Sequence, residues 1–227
     1  MEHGTEASPW LFFGFASLVA VGLALFSIIS TRKLEKVPTS RRQTFLEVAI
    51  LALNNFVVDT IGPGGEKYTP FVGTLFIFIL CMNLLGLIPF LKSPTSNLSI
   101  TAGLALVVFV FYNYAGIREA GLKAWFMHLL GEPLWLAPLM FPIHVVGELA
   151  RPLSLAIRLY GNIFGEETVI AMLATMTFFI IPKLVAFPTQ FPMLLFAIFT
   201  AFVQALVFSV LTSIYISIAI SSAHHEH

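Results

Sequence analysis

From Trp10 to Ser30 the chain carries no charged side chain, and uncharged runs recur at Phe71–Phe90, Leu98–Tyr114 and Met193–Ile220. About 20 apolar residues are what an α-helix needs to cross a hydrocarbon core of about 30 Å. In lipid every backbone N–H and C=O must be bonded within the protein, so only helices and closed barrels span. These runs are continuous rather than alternating, and they read as helices. Composition agrees, with 58% hydrophobic and 11% charged residues, against about 25% charged in soluble domains. The expectation is an all-α integral membrane protein in the lipid bilayer. It has about five membrane helices in one membrane domain over 1–227, and no separate soluble domain. The twelve basic and twelve acidic residues balance, and no nucleic-acid partner is expected. Cys81, the single cysteine, lies in an apolar run and excludes a disulfide framework or a CxxC metal site.

The distribution of charge gives the topology. Met1–Pro9 has Glu2 and Glu6 but no basic residue. A secretory signal needs a positive start, so the first run, 10–30, is expected to stay as a span. It ends in Arg32, Lys33 and Lys36, then Arg41 and Arg42. Residues 40–58, with Glu47, Asn54 and Asn55 among apolar neighbours, suit an amphipathic helix at the interface. A turn at Gly62-Pro63-Gly64-Gly65 leads to a helical hairpin over 70–115, whose first arm breaks at Pro89. Trp125–Met140, with Pro133 and Pro138, suits an interfacial re-entry. A polar helix over 134–181 and a last helix over 190–221 complete the set. Arg118, Lys67 and Lys123 join the first basic cluster on one side, leaving only Lys92 and Lys183 on the other. The positive-inside rule then puts the N-terminus outside and the C-terminus in the cytoplasm.

Length adds a constraint. Ile143–Ile181 as a helix is roughly 58 Å long and Met193–Ser221 roughly 43 Å at ~1.5 Å per residue. Neither fits upright in a bilayer. Strong tilt, or a break at Pro152, is required.

The polar stretch His144–Thr168 is where the chemistry lies. On a helical wheel His144, Glu148, Arg151, Arg158, Asn162 and Glu166 share one third of the circumference. Gly147, Ser154, Gly161 and Gly165 lie beside them, and Glu167 points to roughly the opposite side. Each Arg at bilayer depth costs about 2.5 kcal/mol or more, a cost rarely carried for packing alone. Such a helix lines a wet path while another helix packs close to it. Blander readings stand beside this one. Arg151, next to Pro152, can snorkel to the interface; Glu148, His144, Glu166 and Glu167 can be surface groups. Asn162 and Gln204 can be bridging hydrogen-bonders. Thr200 and Tyr215 share a helix face with Gln204 but read as core packing. The terminal His224-His225-Glu226-His227 reads as a solvated tail, and no metal site or cofactor is expected.

The segment Arg151-Pro152-Leu153-Ser154-Leu155-Ala156-Ile157-Arg158-Leu159-Tyr160-Gly161-Asn162 closely resembles the signature of subunit a of the F-type ATP synthases. Met82-Asn83-Leu84-Leu85-Gly86-Leu87-Ile88-Pro89, the Thr95–Thr101 loop and Gln204-Ala205-Leu206-Val207-Phe208 resemble further family segments, so the likeness covers roughly residues 40–220. The resemblance implies an ion-conducting stator in the plasma membrane of a bacterium. It would pass protons or Na⁺ through two offset half-channels to a rotating c-ring and so couple an ion gradient to ATP synthesis. It would have no catalytic site of its own. Its implied partners are the c-ring, the subunit b stator stalk and the whole F1Fo complex. By the same resemblance Arg158 is the essential stator charge, and Asn162 and Glu167 line the half-channel open to the outside. Gln204 stands opposite Arg158, while Ser154, Glu148 and His144 lie towards the cytoplasmic half-channel. Some members carry a titratable residue where this chain has Ala197, and here the outer carboxylate is doubled as Glu166-Glu167. Which of the two relays ions is open.

Elementary electrostatics suits those roles. Arginine keeps its proton in any protein environment, so it acts as a fixed field and not as a carrier. A secondary ion-coupled transporter or self-contained channel is the competing reading, and such a protein would transport alone. An intramembrane enzyme is disfavoured, because there is no HExxH and no nucleophile paired with a nearby histidine.

Overall fold

The computed structural model describes residues 9–31, 41–88, 93–122, 125, 137–180 and 187–221. Six long helices make up the fold: α1 (Pro9–Thr31), α2 (Arg41–Ile61), α3 (Thr69–Leu85), α4 (Leu98–Ala120), α5 (Ala137–Ile180) and α6 (Phe187–Ser221). Short 3-10 turns occupy Gly65–Tyr68 and Pro94–Ser96, and no strand occurs among the described residues. Four stretches are long and apolar enough to cross a membrane: Phe12–Ile29, Gly65–Leu85, Leu98–Glu119 and Pro192–Ser221. The protein is therefore an all-α multi-pass membrane protein, as its apolar runs require.

The last helix is the hub. α6 packs against α2, α3, α4 and α5, while α1 touches α3 and the Pro94–Ser96 turn. Val72, Ile79 and Met82 of α3 meet Val108 and Tyr112 of α4, Leu155 and Leu159 of α5, and Phe208 and Ile216 of α6 in one core. Lipid is as apolar as these side chains, so close packing and hydrogen bonds, not water exclusion, hold such a core together. Small residues permit the approach. A Cβ on Gly116 of α4 would lie 3.2 Å from both the Cβ and the carbonyl oxygen of Ala219 on α6. The outward faces are the expected counterpart, with Leu18, Val21 and Phe26 of α1 and Leu106, Val107 and Val110 of α4 exposed.

Several boundaries differ from expectation for local reasons. α3 ends at Leu85, ahead of the expected break at Pro89. Gly86, Leu87 and Ile88 donate to Asn83, Leu84 and Leu85 at 3.2, 3.1 and 3.2 Å, a tightened 3-10 exit. The residue before a proline is driven out of the helical region, so the chain leaves the helix before Ile88-Pro89. α2 runs on to Ile61, three residues beyond the expected end at 58. Most of the expected re-entrant stretch 125–140, like Lys92, Lys123, Lys183 and the His-rich tail, lies outside the described residues; Ala137–Met140 open α5.

Pro152 does not break the polar helix. α5 is continuous for 44 residues with Pro142 and Pro152 inside it. A proline forfeits one backbone bond, here to the Glu148 carbonyl, and membrane helices tolerate that loss when neighbours support them. At ~1.5 Å per residue α5 is about 66 Å long and α6 about 52 Å. Both outrun a hydrocarbon core of about 30 Å.

The α3–α4 connection is closed by a buried polar network. Ser93 donates to the Met82 carbonyl at 3.1 Å and lies 2.6 Å from Thr95 Oγ1, and Thr95 donates to Asn83 Oδ1 at 2.8 Å. Gly86 has to be glycine here, since a Cβ would sit 2.7 Å from that of Ser93. Gly86→Ala is expected to cost about 1–3 kcal/mol through overpacking, read as a lower thermal midpoint of the purified assembly. An unchanged midpoint would show that the turn is not tightly packed.

Candidate functional site

The antiparallel seam between α5 and α6 collects most of the polar residues singled out in the sequence. Four residues along α5 are answered by four residues back along α6, one helical turn on each side. Asn162 Nδ2 donates to Gln204 Oε1 at 2.6 Å, and one turn on Thr200 Oγ1 donates to Glu166 Oε2 at 2.6 Å. Towards the other end, the Arg151 guanidinium lies over the Tyr215 ring, 5.7 Å from its centroid. This register puts Gln204 level with Asn162 instead of Arg158, so the expected Arg158–Gln204 opposition is displaced by one turn. Gln204 is 4% exposed. A buried amide needs a partner, and Asn162 supplies one.

Arg158 has a different setting. On α5, Leu155, Ala156, Leu159 and Ile163 point into the bundle, and Arg158 lies on the outer face with Ser154, Gly161 and Asn162 exposed beside it. No described residue forms an ion pair or hydrogen bond with Arg158. A Cβ on Gly147, Gly161 or Gly165 would meet nothing within 4 Å. These small positions are therefore not required by packing within the chain. They make a smooth, open face along α5 with one cation in it.

The two neighbouring carboxylates part company. Glu166 faces α6, whereas Glu167 reaches the α3–α4 connection, where its Oε1 accepts from the Ser93 amide at 3.2 Å. That divergence is what successive positions on a helix require.

A third cluster sits below the Arg158 face. Glu148 Oε2 accepts from the Tyr112 hydroxyl of α4 at 2.8 Å, and Glu148 Oε1 forms an ion pair with Arg151. Arg151 is thus held by a carboxylate and an aromatic face, not extended towards an interface. Tyr112 and Tyr215 are neighbours, with ring centroids 5.9 Å apart, so α4, α5 and α6 all contribute. His144 is partly exposed one turn before Glu148. Among the described residues no group of His, Cys, Asp or Glu side chains is placed to hold a metal ion.

Sequence reasoning passed over Tyr112, Ser93 and the roles of Thr200 and Tyr215. For Thr200 and Tyr215 a signal existed, since both share a helix face with Gln204. Tyr112 had only the general rule that a buried phenol seeks an acceptor, and its acceptor lies 36 residues away.

Chemically, the arrangement offers a line of carboxylates, amides and hydroxyls flanking an unneutralised guanidinium on a surface shaped for another helix. Comparison with known proteins points the same way. Residues 12–217 match the family model described as "ATP synthase A chain". The chain is 40% identical to ATP synthase subunit a of Protochlamydia amoebophila, over 99% of this chain and 86% of that one. It is 41% identical to ATP synthase subunit a 1 of Syntrophotalea carbinolica, covering 99% and 95%. Identity is also 41% with ATP synthase subunit a of Geobacter sulfurreducens, covering 98% and 91%.

Proposed function

The chain belongs to the ATP synthase A chain family, and from that premise we propose how its polar seam works. It is a non-catalytic membrane subunit of a rotary ATP synthase, the stator part through which protons pass. Two half-channels meet at Arg158 without joining. Asn162, Glu166, Glu167 and Gln204 line the one open to the outside; Ser154, Glu148 and His144 lie towards the cytoplasmic one. The partner on the open face of α5 is a ring of small helices bearing carboxylates, with the subunit b stalk holding this chain still against it. The N-terminus lies outside and the C-terminus in the cytoplasm. α5 and α6 are strongly tilted, because helices of that length have no upright solution in a bilayer, and α2 lies at the cytoplasmic interface.

The observation that carries this reading is the exposed, unpaired Arg158 on a face of small residues. A structural arginine at that depth would be neutralised within the chain, as Arg151 is by Glu148. An arginine kept free serves a charge that arrives from elsewhere. A ring carboxylate reaching it favours its ionised form, gives its proton to one half-channel, and takes another from the second half-channel on leaving. The same charge repels protons and prevents leakage between the two paths. Each proton contributes about 2.3 kcal/mol per 100 mV of membrane potential, so several must cross per ATP, which rotation supplies.

Reconstitution tests this against a self-contained channel or transporter. In vesicles with an imposed potential, the chain alone is expected to pass no protons above background. The assembly with ring and ATPase sector is expected to acidify the vesicle interior on ATP addition, read with a fluorescent pH indicator. Proton flux through the chain alone at rates comparable to the assembly would overturn the stator reading.

A further inference from the structure

Glu166 and Glu167 are adjacent in sequence, yet their carboxylates meet chemically different partners. Glu167 Oε1 accepts from the Ser93 backbone amide. An amide can only donate, and its direction is fixed by the turn it belongs to. Glu166 Oε2 instead meets the Thr200 hydroxyl, which both donates and accepts and can rotate. That single hydroxyl proton has three acceptors within reach: Glu166 Oε2 at 2.6 Å, the Ala197 carbonyl at 3.0 Å and the Phe196 carbonyl at 3.1 Å. One O–H serves one of them well at a time.

This surplus of acceptors has a use. With Glu166 ionised, the threonine proton points to Oε2. With Glu166 protonated, the carboxyl O–H donates to Thr200 Oγ1, and the threonine proton swings to a carbonyl of its own helix. Both states are fully hydrogen-bonded, and the passage between them costs one rotation about the Cβ–Oγ bond. A carboxylate that loads and unloads a proton at every step needs such a partner, because a group left unsatisfied in either state would trap the other. A step towards Arg158, the seam continues as Asn162–Gln204, and amides do not titrate. Glu166 is thus the last carboxylate on this side of the stator arginine.

Resting on the stator reading above, we propose that Glu166 and Thr200 form the proton-exchange pair of the outer path, and that Glu167 chiefly anchors α5 to the Ser93 turn. Proton balance is simple. On loading, an O–H bond of a protonated water breaks as the Glu166 O–H forms; on release, that bond breaks and the proton passes to the next water along the Asn162–Gln204 rung. Thr200 retains one proton throughout.

The test uses the complete assembly in vesicles, with ATP-driven acidification and gradient-driven synthesis both measured, and ATP hydrolysis retained as the check of assembly. Thr200→Val keeps the shape and removes the hydroxyl. It is expected to slow proton flux at least about tenfold, with a larger solvent deuterium isotope effect, whereas Thr200→Ser stays within about twofold of the parent. Glu166→Gln is expected to lose about tenfold more than Glu167→Gln, whose side-chain oxygen still accepts from Ser93. A merely structural threonine would leave the isotope effect unchanged. Thr200→Val at the parental rate, Thr200→Ser as slow as Thr200→Val, or Glu167→Gln worse than Glu166→Gln would each overturn the pair. Those results beside an inactive Arg158→Ala would leave the stator reading standing, so the two ideas fail separately.

Discussion

Arg158→Ala is expected to abolish gradient-driven ATP synthesis in reconstituted vesicles while the assembly forms normally. The side chain is exposed and bonded to nothing else among the described residues, so its removal opens no cavity and orphans no partner. What disappears is a fixed field. At about 5 Å and an effective dielectric constant of about 20, a unit positive charge favours an ionised ring carboxylate by about 3 kcal/mol, roughly a hundredfold in population. Without it the carboxylate passes the interface still protonated, and protons cross between the half-channels without turning the ring. Arg158→Gln should fail equally, since an amide restores polarity but not charge. Arg158→Lys should recover little. An ammonium is more strongly hydrated, lacks the planar fork, and can lose its proton where an arginine cannot. A well-assembled Arg158→Ala complex making ATP at near-parental rates would sink the fixed-charge mechanism.

That prediction was accessible from the sequence, and much of the fold was too, for a definite reason. Each spanning helix is encoded locally, by a run of apolar residues in which every backbone bond closes within the segment. Trp10–Ser30, Leu98–Tyr114 and Met193–Ile220 could therefore be read one at a time. What one helix says about another could not. The register that sets Gln204 against Asn162 depends on how α6 slides along α5. So does the meeting of Tyr112 with Glu148, which belongs to the packing of α4 on α5. Pro152 shows the same limit from the other side. Its local effect is to weaken a helix, but α5 packs along α4 and α6, and it runs through unbroken. The wheel did separate Glu166 from Glu167, because both lie on one helix; it could not supply Thr200 or Ser93 as their partners.

The Glu148–Arg151 pair carries the second large effect, on stability instead of conduction. Glu148 accepts from Tyr112 of α4 and pairs with Arg151, whose guanidinium rests on Tyr215 of α6. Three helices thus meet at one carboxylate. The two charged side chains are 26% and 19% exposed, so water screens them only partly. Breaking a buried pair from one side costs about 3–5 kcal/mol, because the remaining charge is left uncompensated. With this residual exposure Glu148→Leu is expected to cost about 2–3 kcal/mol, seen as a lower thermal midpoint of the purified assembly and partial loss of the chain from it. Tyr112→Phe removes a single bond to a charged acceptor and should cost less, about 1–2 kcal/mol. The discriminating variant is Glu148→Leu combined with Arg151→Met, which removes both charges and keeps an apolar stem over Tyr215. It should recover at least about 1 kcal/mol relative to Glu148→Leu alone, the coupling expected of residues in direct contact. Proton flux is not the readout, since Glu148 also belongs to the cytoplasmic half-channel. If the double variant is as unstable as the sum of its singles, the pair contributes no coupling, and α4, α5 and α6 are held together here by apolar packing alone.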